Sequence, residues 1–297
     1  MIRSSMKPHT DIRDIMFEQL AGTVVTAEIR ADGTGMLCGV GRAVTRAAQL
    51  DLAVHHALGE GASLGPGTVI LRFSGAPKQV LMGEEVLMGC MAKTSGIATA
   101  AGTFVARAGD SLRIVSGAWK KMPLAFKPDL REAVVLGGVG QRITDLPFIY
   151  LDKNYTAVFG GIAPTLKALS HLNTYVKVIH IRGTYGDIAD EAMAAARYGA
   201  GVIFIDTGNA GDVVRVTEVL SRMGWRSRVK IAFGGNVVLE EIDHLKSLDL
   251  DILDIGRAII DAPLLVMRME IVQVDHDRSL EMSEFWTTEE ETWDLAF

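Results

Sequence analysis

Apolar and polar positions follow a regular order in the second half of the chain. Short apolar runs, such as VIFID at 202–206 and VKIAF at 229–233, lack the polar alternation of a strand exposed on one face. Such strands are typical of parallel sheets that are buried on both sides. The segments between them carry apolar residues at i, i+3 and i+4, as crossover helices do. Helices are therefore expected within 162–172, 187–201, 212–224 and 239–248.

The same pattern predicts strands at 112–117, 147–152, 176–183, 202–209, 229–235 and 251–258. Together they make about six βα units over residues 112–262. A βα barrel that is incompletely closed explains this better than a doubly wound sheet, because no GxGxxG motif follows a first strand. The predicted fold class is α/β, with an N-terminal mixed α/β domain followed by an open βα barrel.

The first hundred residues follow a different pattern. TVVTAEIR (23–30) alternates with period two and leads through DGTG (32–35) into MLCG, which predicts antiparallel strands joined by a hairpin. A helix that includes His55 and His56 is expected over 47–61, and a further strand over 68–75. The apolar stretch 84–109 predicts a long helix that connects this domain to the barrel.

These elements divide the chain into an N-terminal domain with its connector helix (1–108), a barrel (109–265) and a C-terminal segment (266–297). The C-terminal segment is acidic and carries Phe285, Trp286 and Trp293. We expect it to pack on its own N-terminal domain or on a partner subunit.

Charge and cysteine content exclude several classes of protein. The net charge of -6 argues against nucleic acid or an acidic membrane as the main partner, because both require a basic surface. The two cysteines cannot form a disulfide framework, which favours a reduced, cytoplasmic protein. The N-terminus has no apolar signal-peptide core, and no apolar run is long enough to span a membrane.

Glycines follow two consecutive barrel strands near the end of the chain. AFGGN places Gly234, Gly235 and Asn236 after one strand, and DIGRA places Gly256 and Arg257 after the next. Glycine lets backbone N–H groups approach a phosphate, and a helix N-terminus favours its negative charge. Barrels often bind phosphate at the last strands, so we expect a phosphate site here.

Charged residues mark other strand ends. Asp206 ends VIFID, where a carboxylate can hold ribose hydroxyls or a hydrated Mg²⁺, although it can instead cap the next helix. Asp152 and Lys153 end another strand and can simply pair in solvent. His180 and Arg182 alternate on a strand, so both are expected on one face, although a lone histidine there is often a core residue.

The stretch SGAWKKMP (116–123) follows the first barrel strand and offers a tryptophan beside two lysines. Trp119 and Lys120 can hold a flat anionic ligand, or the tryptophan can pack in the core. No nucleophile elbow, metal-ligand cluster or P-loop occurs in the sequence. Phosphate loops and strand-end carboxylates together indicate a phosphorylated sugar as substrate.

Motifs that cover roughly residues 10–272 carry a family resemblance. They are, in chain order, GTGMLCG, GTVILRFSG, TSGIATAAGTFV, AVVLGGVGQR, DKNY, the strand-end Asp206, AFGGN and DIG. Their order and spacing resemble the quinolinate phosphoribosyltransferase family. These type II enzymes make nicotinate mononucleotide from quinolinate and phosphoribosyl pyrophosphate with Mg²⁺. The resemblance implies small-molecule substrates, an open barrel, and a homodimer or higher homo-oligomer whose active sites are completed by a neighbouring subunit.

On the phosphoribosyl side, the resemblance carries over residue by residue. Lys120 matches the lysine of the family's DTRKTTPG loop, and Asp206 matches its strand-end carboxylate and metal-side residue. The phosphate loops match at Gly234, Gly235 and Gly256. The resemblance therefore implies that Lys120 and Mg²⁺ stabilise the pyrophosphate leaving group.

On the acceptor side the chain departs from the family. Arg142 matches the arginine of the family's His-Arg pair, and Lys153 lies next to Asp152, where the lysine of the family's KDNH motif falls. A strand glutamate of the family falls at His180 or Arg182. Two arginines, a histidine and a lysine of the family fall at Glu85, Trp119, Gln141 and Asp152.

These replacements predict a changed acceptor. Quinolinate is a dianion, and its pocket needs several cations with bidentate geometry. The replacements change the local formal charge by about five units, and each swap is worth a few kcal/mol at an effective dielectric constant of about 20. We therefore expect a nitrogen heteroaromatic acceptor other than quinolinate, stacked on Trp119. A genuine quinolinate enzyme and a non-catalytic nucleotide-binding or accessory protein are the alternatives.

Overall fold

The computed structural model describes residues 11–276 and divides them between two cores. The N-terminal part is built from short elements joined to one long helix. Its helices and strands are α1 (Ile12–Met16), β1 (Val24–Ala31), β2 (Gly35–Met36), α2 (Val40–Gln49), β3 (Ala53–Ala57), β4 (Ser63–Leu64), β5 (Val69–Gly75) and α3 (Pro77–Ala108).

Sheet pairing in the N-terminal domain differs from the sequence prediction in two places. Strand β1 pairs with β5, and β2 pairs with the short β4, so the predicted hairpin through DGTG is wrong. Of the helix predicted over 47–61, only the first residues, up to Gln49, are helical, and His55 and His56 lie in β3 instead. Asp51, whose φ of 57° is left-handed, turns the chain into β3. A strand with mostly exposed side chains at a sheet edge has too weak an apolar pattern to be recognised.

The long helix α3 connects the two cores, as the sequence predicts. Pro77 is its first residue, a position where the missing N–H costs no hydrogen bond. Residues Val80, Leu87 and Met91 pack in the N-terminal core, whereas Ile97 and the buried residues after it pack in the barrel core. The helix is therefore the structural link that fixes the N-terminal domain against the barrel.

The second part contains the predicted βα units. Its elements are β6 (Arg113–Val115), α4 (Lys127–Leu136), β7 (Phe148–Leu151), α5 (Lys153–Phe159), α6 (Ile162–Ala168), β8 (Val176–Ile181), α7 (Ile188–Arg197), β9 (Val202–Asp206), α8 (Ala210–Arg222), β10 (Lys230–Gly234), α9 (Ile242–Leu245), β11 (Ile252–Asp254), α10 (Arg257–Ile260) and β12 (Met267–Asp275).

The barrel is open. Six parallel strands lie in the order β6-β11-β10-β9-β8-β7, and β6 and β7 do not pair with each other. An isolated bridge between Val115 and Gly140 is the contact that continues the sheet beyond β6. The predicted open α/β barrel after an N-terminal mixed domain is confirmed.

Alternation along the strands separates the barrel interior from the helix layer. In β8, Val176 and Val178 pack in the interior cluster, whereas Ile179 and Ile181 pack in the cluster beneath the helices. His180 therefore lies on the interior face, because side chains two residues apart on a strand share a face.

After the barrel the chain returns to the N-terminal domain. Strand β12 pairs antiparallel with β1, from Val24 opposite Asp275 to Ala31 opposite Met267. The aromatic residues predicted to pack in the acidic tail, Phe285, Trp286 and Trp293, lie outside the described residues. Within residues 11–276, no helix combines the length and apolar character that crossing a membrane requires.

Candidate active site

Parallel strands of the barrel end at one common edge, which we call the mouth. Because the carboxyl ends of such strands are where barrels bind ligands, the residues at these ends are the first candidates for a site. The mouth is formed by the ends of β6 to β11 and the residues that follow them, among them Ser116, Lys120, Asp152, Arg182, Asp206, Gly235 and Asp254.

Asp206 ends β9 and faces His180 of β8 and Arg182, the residue that follows β8. Its Oδ2 lies 3.7 Å from Nδ1 of His180 and 3.9 Å from Nη1 of Arg182. Burial alone would raise the pKa of Asp206, but the His180 contact and the charges of Arg182 and Lys120 outweigh it and lower the pKa. Asp206 is therefore held as a carboxylate, and the helix after β9 is capped by Asn209 instead.

His180 is buried at the centre of the mouth. Its ring makes edge-on contacts with Tyr150 and Phe204, at centroid distances of 4.8 and 4.3 Å. Its Nε2 is buried without a hydrogen-bond partner. Burial and the carboxylates of Asp254 and Asp206 raise the pKa of the Tyr150 phenol. The aromatic packing fixes the ring of His180 and leaves its Nδ1 side for Asp206.

Asp254 ends β11 and was not singled out in the sequence. Its Oδ1 accepts a hydrogen bond from the backbone N–H of Gly117 at 3.2 Å. Burial, together with the charge of Asp206, raises the pKa of Asp254, against the Gly117 hydrogen bond and the charges of His180 and Lys120. The signal was present in the sequence, since DILD ends on aspartate just as VIFID does.

Lys120 lies in a 3₁₀ turn, Ala118–Lys121, that follows β6. Its ammonium helps to lower the pKa of Asp206 and partly offsets the rise that burial causes in the pKa of Asp254. Lys120 and Asp206, predicted together from the sequence, are brought to the same mouth by strands β6 and β9. The side chain of Lys120 is exposed and forms no salt bridge with a described residue.

Trp119, next to Lys120, packs against the core beneath the barrel helices. The guanidinium of Arg131 from α4 covers its ring at 3.8 Å from the centroid. The indole Nε1 and Arg131 Nε are both buried without hydrogen-bond partners among the described residues. One face of the indole is therefore occupied by Arg131 rather than open for a ligand.

The glycine loop after β10 brings two backbone segments into contact. A Cβ at Gly235, whose φ is 114°, would lie 2.5 Å from the backbone nitrogen of Gly208, and one at Gly234 would lie 2.9 Å from the Phe204 ring. Asn236 has a left-handed φ of 61°. A side chain at Gly234 would collide with Phe204, and one at Gly235 would collide with the loop after β9, so the close packing at this point of the mouth requires glycine.

The second glycine loop contributes less than its sequence indicates. Gly256 precedes α10, which spans only Arg257–Ile260. The exposed Arg257 side chain pairs with Asp261 on the following turn, at 3.1 Å between Nε and Oδ2. The Arg257 side chain therefore lies along α10.

The remaining predicted acceptor residues lie in different places. Asp152 caps α5 by accepting hydrogen bonds from the N–H groups of Asn154 and Tyr155. Gln141 donates to the backbone carbonyl of Arg131 at 3.1 Å. Arg142 and Lys153 are both exposed; Lys153 follows the carboxyl end of β7, whereas the Arg142 guanidinium lies 5.4 Å from the ring of Phe148, the first residue of β7. Glu85 is exposed on the half of α3 that packs on the N-terminal domain, away from this side of the barrel.

Comparison with known proteins places the chain in a family. The model for the quinolinate phosphoribosyl transferase N-terminal domain matches residues 14–95, and the model for its C-terminal domain matches residues 97–270. A probable nicotinate-nucleotide pyrophosphorylase [carboxylating] of Archaeoglobus fulgidus is 28% identical over 252 residues, which cover 84% of this chain and 95% of that protein. The human nicotinate-nucleotide pyrophosphorylase [carboxylating] is 24% identical, over 75% of this chain and 74% of that protein.

Solved structures share the fold. The nicotinate-nucleotide pyrophosphorylase from Pyrococcus furiosus superposes with a TM-score of 0.78 at 21% identity, covering 93% of this chain and 79% of that chain. The corresponding enzyme from Ehrlichia chaffeensis gives a TM-score of 0.75 at 14% identity, with coverage of 89% and 93%. Both domains of the chain are thus accounted for by the two family models. The chain belongs to the quinolinate phosphoribosyltransferase family, a family of pentosyltransferases.

Proposed function

We propose that the protein is a type II phosphoribosyltransferase that transfers phosphoribose from phosphoribosyl pyrophosphate to quinolinate. The observation that carries this proposal is the mouth itself, where Asp206 and Asp254 end β9 and β11, Lys120 lies in the turn after β6, and the loop after β10 begins with Gly235. An ammonium and backbone N–H groups suit the phosphates, and a strand-end carboxylate suits ribose hydroxyls. The family membership supports the same reaction.

The acceptor expected from the sequence, a heteroaromatic other than quinolinate, finds no support in the comparisons. The matched relatives carry the name nicotinate-nucleotide pyrophosphorylase, which favours quinolinate. The face of Trp119 that a neutral base would stack on is covered by Arg131. The exposed cations Arg142 and Lys153 form no salt bridge with a described residue, so both are free to meet a dicarboxylate.

The proposed reaction breaks the bond between C1 of ribose and the pyrophosphate oxygen and forms a bond from C1 to the ring nitrogen of quinolinate. The 2-carboxyl group then leaves as CO₂, its electron pair is taken up by a proton at C2, and nicotinate mononucleotide results. Lys120 stabilises the negative charge on the departing pyrophosphate, and Asp206 stabilises the positive charge that develops on the ribose.

Mg²⁺ is the metal that the family implies for this substrate. Within residues 11–276, no group of three or more His, Cys, Asp or Glu side chains could hold a metal by itself. One or two carboxylates suffice for Mg²⁺ when the substrate's phosphates supply other ligands, and the ionised Asp206 fits that role. When bound, Mg²⁺ neutralises charge on the pyrophosphate; the side chains still position the ribose and the acceptor.

One observation keeps a second candidate acceptor in the test. The family resemblance predicts that four cations are replaced by Glu85, Trp119, Gln141 and Asp152, and Asp152 uses its carboxylate to cap α5. A monocarboxylate pyridine requires fewer cations than quinolinate does. The two acceptors differ by one carboxylate, so comparing the activity of the protein with each of them decides between the two proposals.

The deciding experiment incubates the protein with phosphoribosyl pyrophosphate, Mg²⁺ and one acceptor, and measures pyrophosphate release. We expect release with quinolinate together with CO₂ in equal amount. Pyrophosphate release with nicotinate but not with quinolinate would show that nicotinate is the acceptor and that the proposed acceptor is wrong. Absence of phosphoribosyl pyrophosphate binding in calorimetry would contradict the enzyme function and favour an accessory role.

The proposal includes a homodimer or a larger homo-oligomer with shared active sites. It is supported by the position of Glu85, which matches a family acceptor residue and yet lies on the N-terminal half of α3 in its own subunit. Only a neighbouring subunit's mouth is then available to it. Sedimentation at micromolar concentration tests this, and a monomer with full activity would contradict it.

A further inference from the structure

The loop between β8 and α7, residues 182–187, crosses the mouth without regular secondary structure. It begins with Arg182, whose guanidinium lies 3.9 Å from Asp206. It continues to Tyr185, whose ring would be 3.7 Å from a Cβ at Gly161, on the far side of β8. The loop therefore extends from the β9 side of the mouth to the segment that follows β7.

A single buried carboxylate holds this loop. Glu191, in the first turn of α7, is only 4% exposed. Its Oε2 accepts hydrogen bonds from the backbone N–H groups of Arg182 and Gly183, both at 2.9 Å, and its Oε1 accepts one from Tyr185 at 2.7 Å. Three of the loop's backbone donors thus converge on one side chain.

The arrangement differs from that of Glu28, the other buried glutamate among residues 11–276. Glu28 is paired with the side chains of Arg30 and Arg72. Glu191 forms no salt bridge with a described residue, so its charge is balanced by backbone N–H dipoles and by the N-terminus of α7. The Glu191 carboxylate therefore stabilises the one backbone conformation of the loop in which all three N–H groups point at it.

An isosteric amide cannot reproduce these bonds. Glutamine has one acceptor oxygen, and its NH₂ group would face either the Arg182 and Gly183 donors or the Tyr185 donor. At least one backbone N–H would then face the NH₂ group without an acceptor, and the loop relieves this unfavourable contact by moving. Because Arg182 is the first residue of the loop, that movement displaces the guanidinium from Asp206.

We infer that Glu191 is a positioning residue for the phosphoribosyl site: by fixing the backbone of residues 182–185, it holds Arg182 beside Asp206 for contact with the phosphorylated sugar. The inference rests on the proposed function. It adds a residue that touches no substrate and assigns the β8–α7 loop to binding of phosphoribosyl pyrophosphate rather than of the acceptor.

The test compares Glu191→Gln, Arg182→Ala and the double variant in calorimetric binding of phosphoribosyl pyrophosphate with Mg²⁺ and no acceptor. Glu218→Gln is the matched control, because Glu218 is an exposed glutamate on the neighbouring helix α8. We expect Kd to rise about tenfold in Glu191→Gln and in Arg182→Ala, and to rise no further in the double variant, because both changes remove the same contact. Glu191→Asp, which keeps the charge but shortens the reach, serves if the glutamine variant does not fold.

Two results would overturn the inference: an unchanged Kd in a folded Glu191 variant, or effects that multiply in the double variant. Amide hydrogen exchange supplies a readout that is independent of ligand. The N–H groups of Arg182, Gly183 and Tyr185 should exchange at least about tenfold faster in Glu191→Gln than in Glu218→Gln. If the wild-type protein binds no phosphoribosyl pyrophosphate, the proposed function fails, whereas unchanged exchange shows that Glu191 does not hold the loop.

Discussion

The phosphoribosyl side and the acceptor side of the mouth are built in different ways. On the first side, Asp206 and Asp254 end parallel strands, and Gly234 ends the strand between them, with Gly235 directly after it. On the second side, Trp119, Gln141 and Lys153 lie in turns, loops and the start of a short helix. Strand ends are fixed by the register of the sheet, whereas loops are fixed by whatever packs on them.

We propose that this difference explains where the family resemblance predicts kept residues and where it predicts replaced ones. A carboxylate at the end of β9 cannot move without shifting the whole strand relative to its hydrogen-bonded neighbours. A loop residue can be replaced if another element compensates. Arg131 on α4 covers Trp119 and brings a guanidinium next to the position where the family resemblance predicts an arginine. The predictions below test this contrast, in order of decreasing effect.

The largest effect is expected for Lys120→Ala. Removing the ammonium leaves the charge of the departing pyrophosphate without its protein partner, so kcat should fall about 10³-fold, as for loss of a preorganised electrostatic contact. Pyrophosphate release measures it. The control is Lys121→Ala, which removes an exposed lysine of the same turn and should leave kcat within about twofold of the wild type. Equal losses in both variants would show that only net charge matters.

A smaller and more selective effect is expected for Arg142→Ala. Loss of a guanidinium that meets a carboxylate should raise KM for quinolinate about 10- to 50-fold and leave KM for phosphoribosyl pyrophosphate nearly unchanged. Arg257→Ala is the comparison, because Arg257 pairs with Asp261 and should change neither constant by more than about threefold. A rise in the KM for phosphoribosyl pyrophosphate in Arg257→Ala would restore its predicted phosphate role.

Trp119→Ala separates packing from acceptor binding. Because the indole packs on the helix-layer core beneath Arg131, its loss should lower the free energy of unfolding by about 1–3 kcal/mol. The KM for the acceptor should change only slightly. Urea denaturation and initial rates measure the two effects. A tenfold rise in acceptor KM with unchanged stability would show that a ligand, not the core, uses the ring.

The smallest effect concerns Asp254. Its folded-state pKa is raised by burial, so the folded protein binds the proton more tightly and stability is lost as pH rises through that pKa. Asp254→Asn keeps an acceptor for the Gly117 N–H and should remove this loss. At pH 7 without Mg²⁺ its Tm should exceed that of the wild type by roughly 2–4 °C per kcal/mol gained, and the difference should vanish near pH 4. A constant difference at all pH values would exclude titration as the cause.

The sequence predicted the barrel well because its strands carry a strong local signal. Runs such as VIFID and VKIAF are apolar on both faces, so they indicate buried parallel strands without knowledge of their partners. Strand β3 gave no such signal, since it lies at the sheet edge with exposed side chains. The partner of β1 could not be predicted either, because β12 lies more than two hundred residues away.

The part of the candidate site that was predicted is the part that lies at strand ends. Asp206 and the glycine loop stand at strand ends, which the alternation of apolar runs already located. The contact between Arg131 and Trp119 depends on how α4 packs on a turn, and no spacing rule reveals it. The role of Glu191 depends on three backbone donors, whose positions no side-chain pattern records.

The pairing of β1 with β12 sets an order for synthesis and folding. The ribosome makes β1 before the barrel strands and β12 after them. The barrel, contiguous from β6 to β11, can thus fold while the N-terminal sheet still lacks its outer strand. Until residues 267–275 arrive, β1 presents an open edge that can pair with other chains. A stop codon just before β12 should therefore leave the barrel folded and cause the protein to aggregate through the unpaired edge of β1.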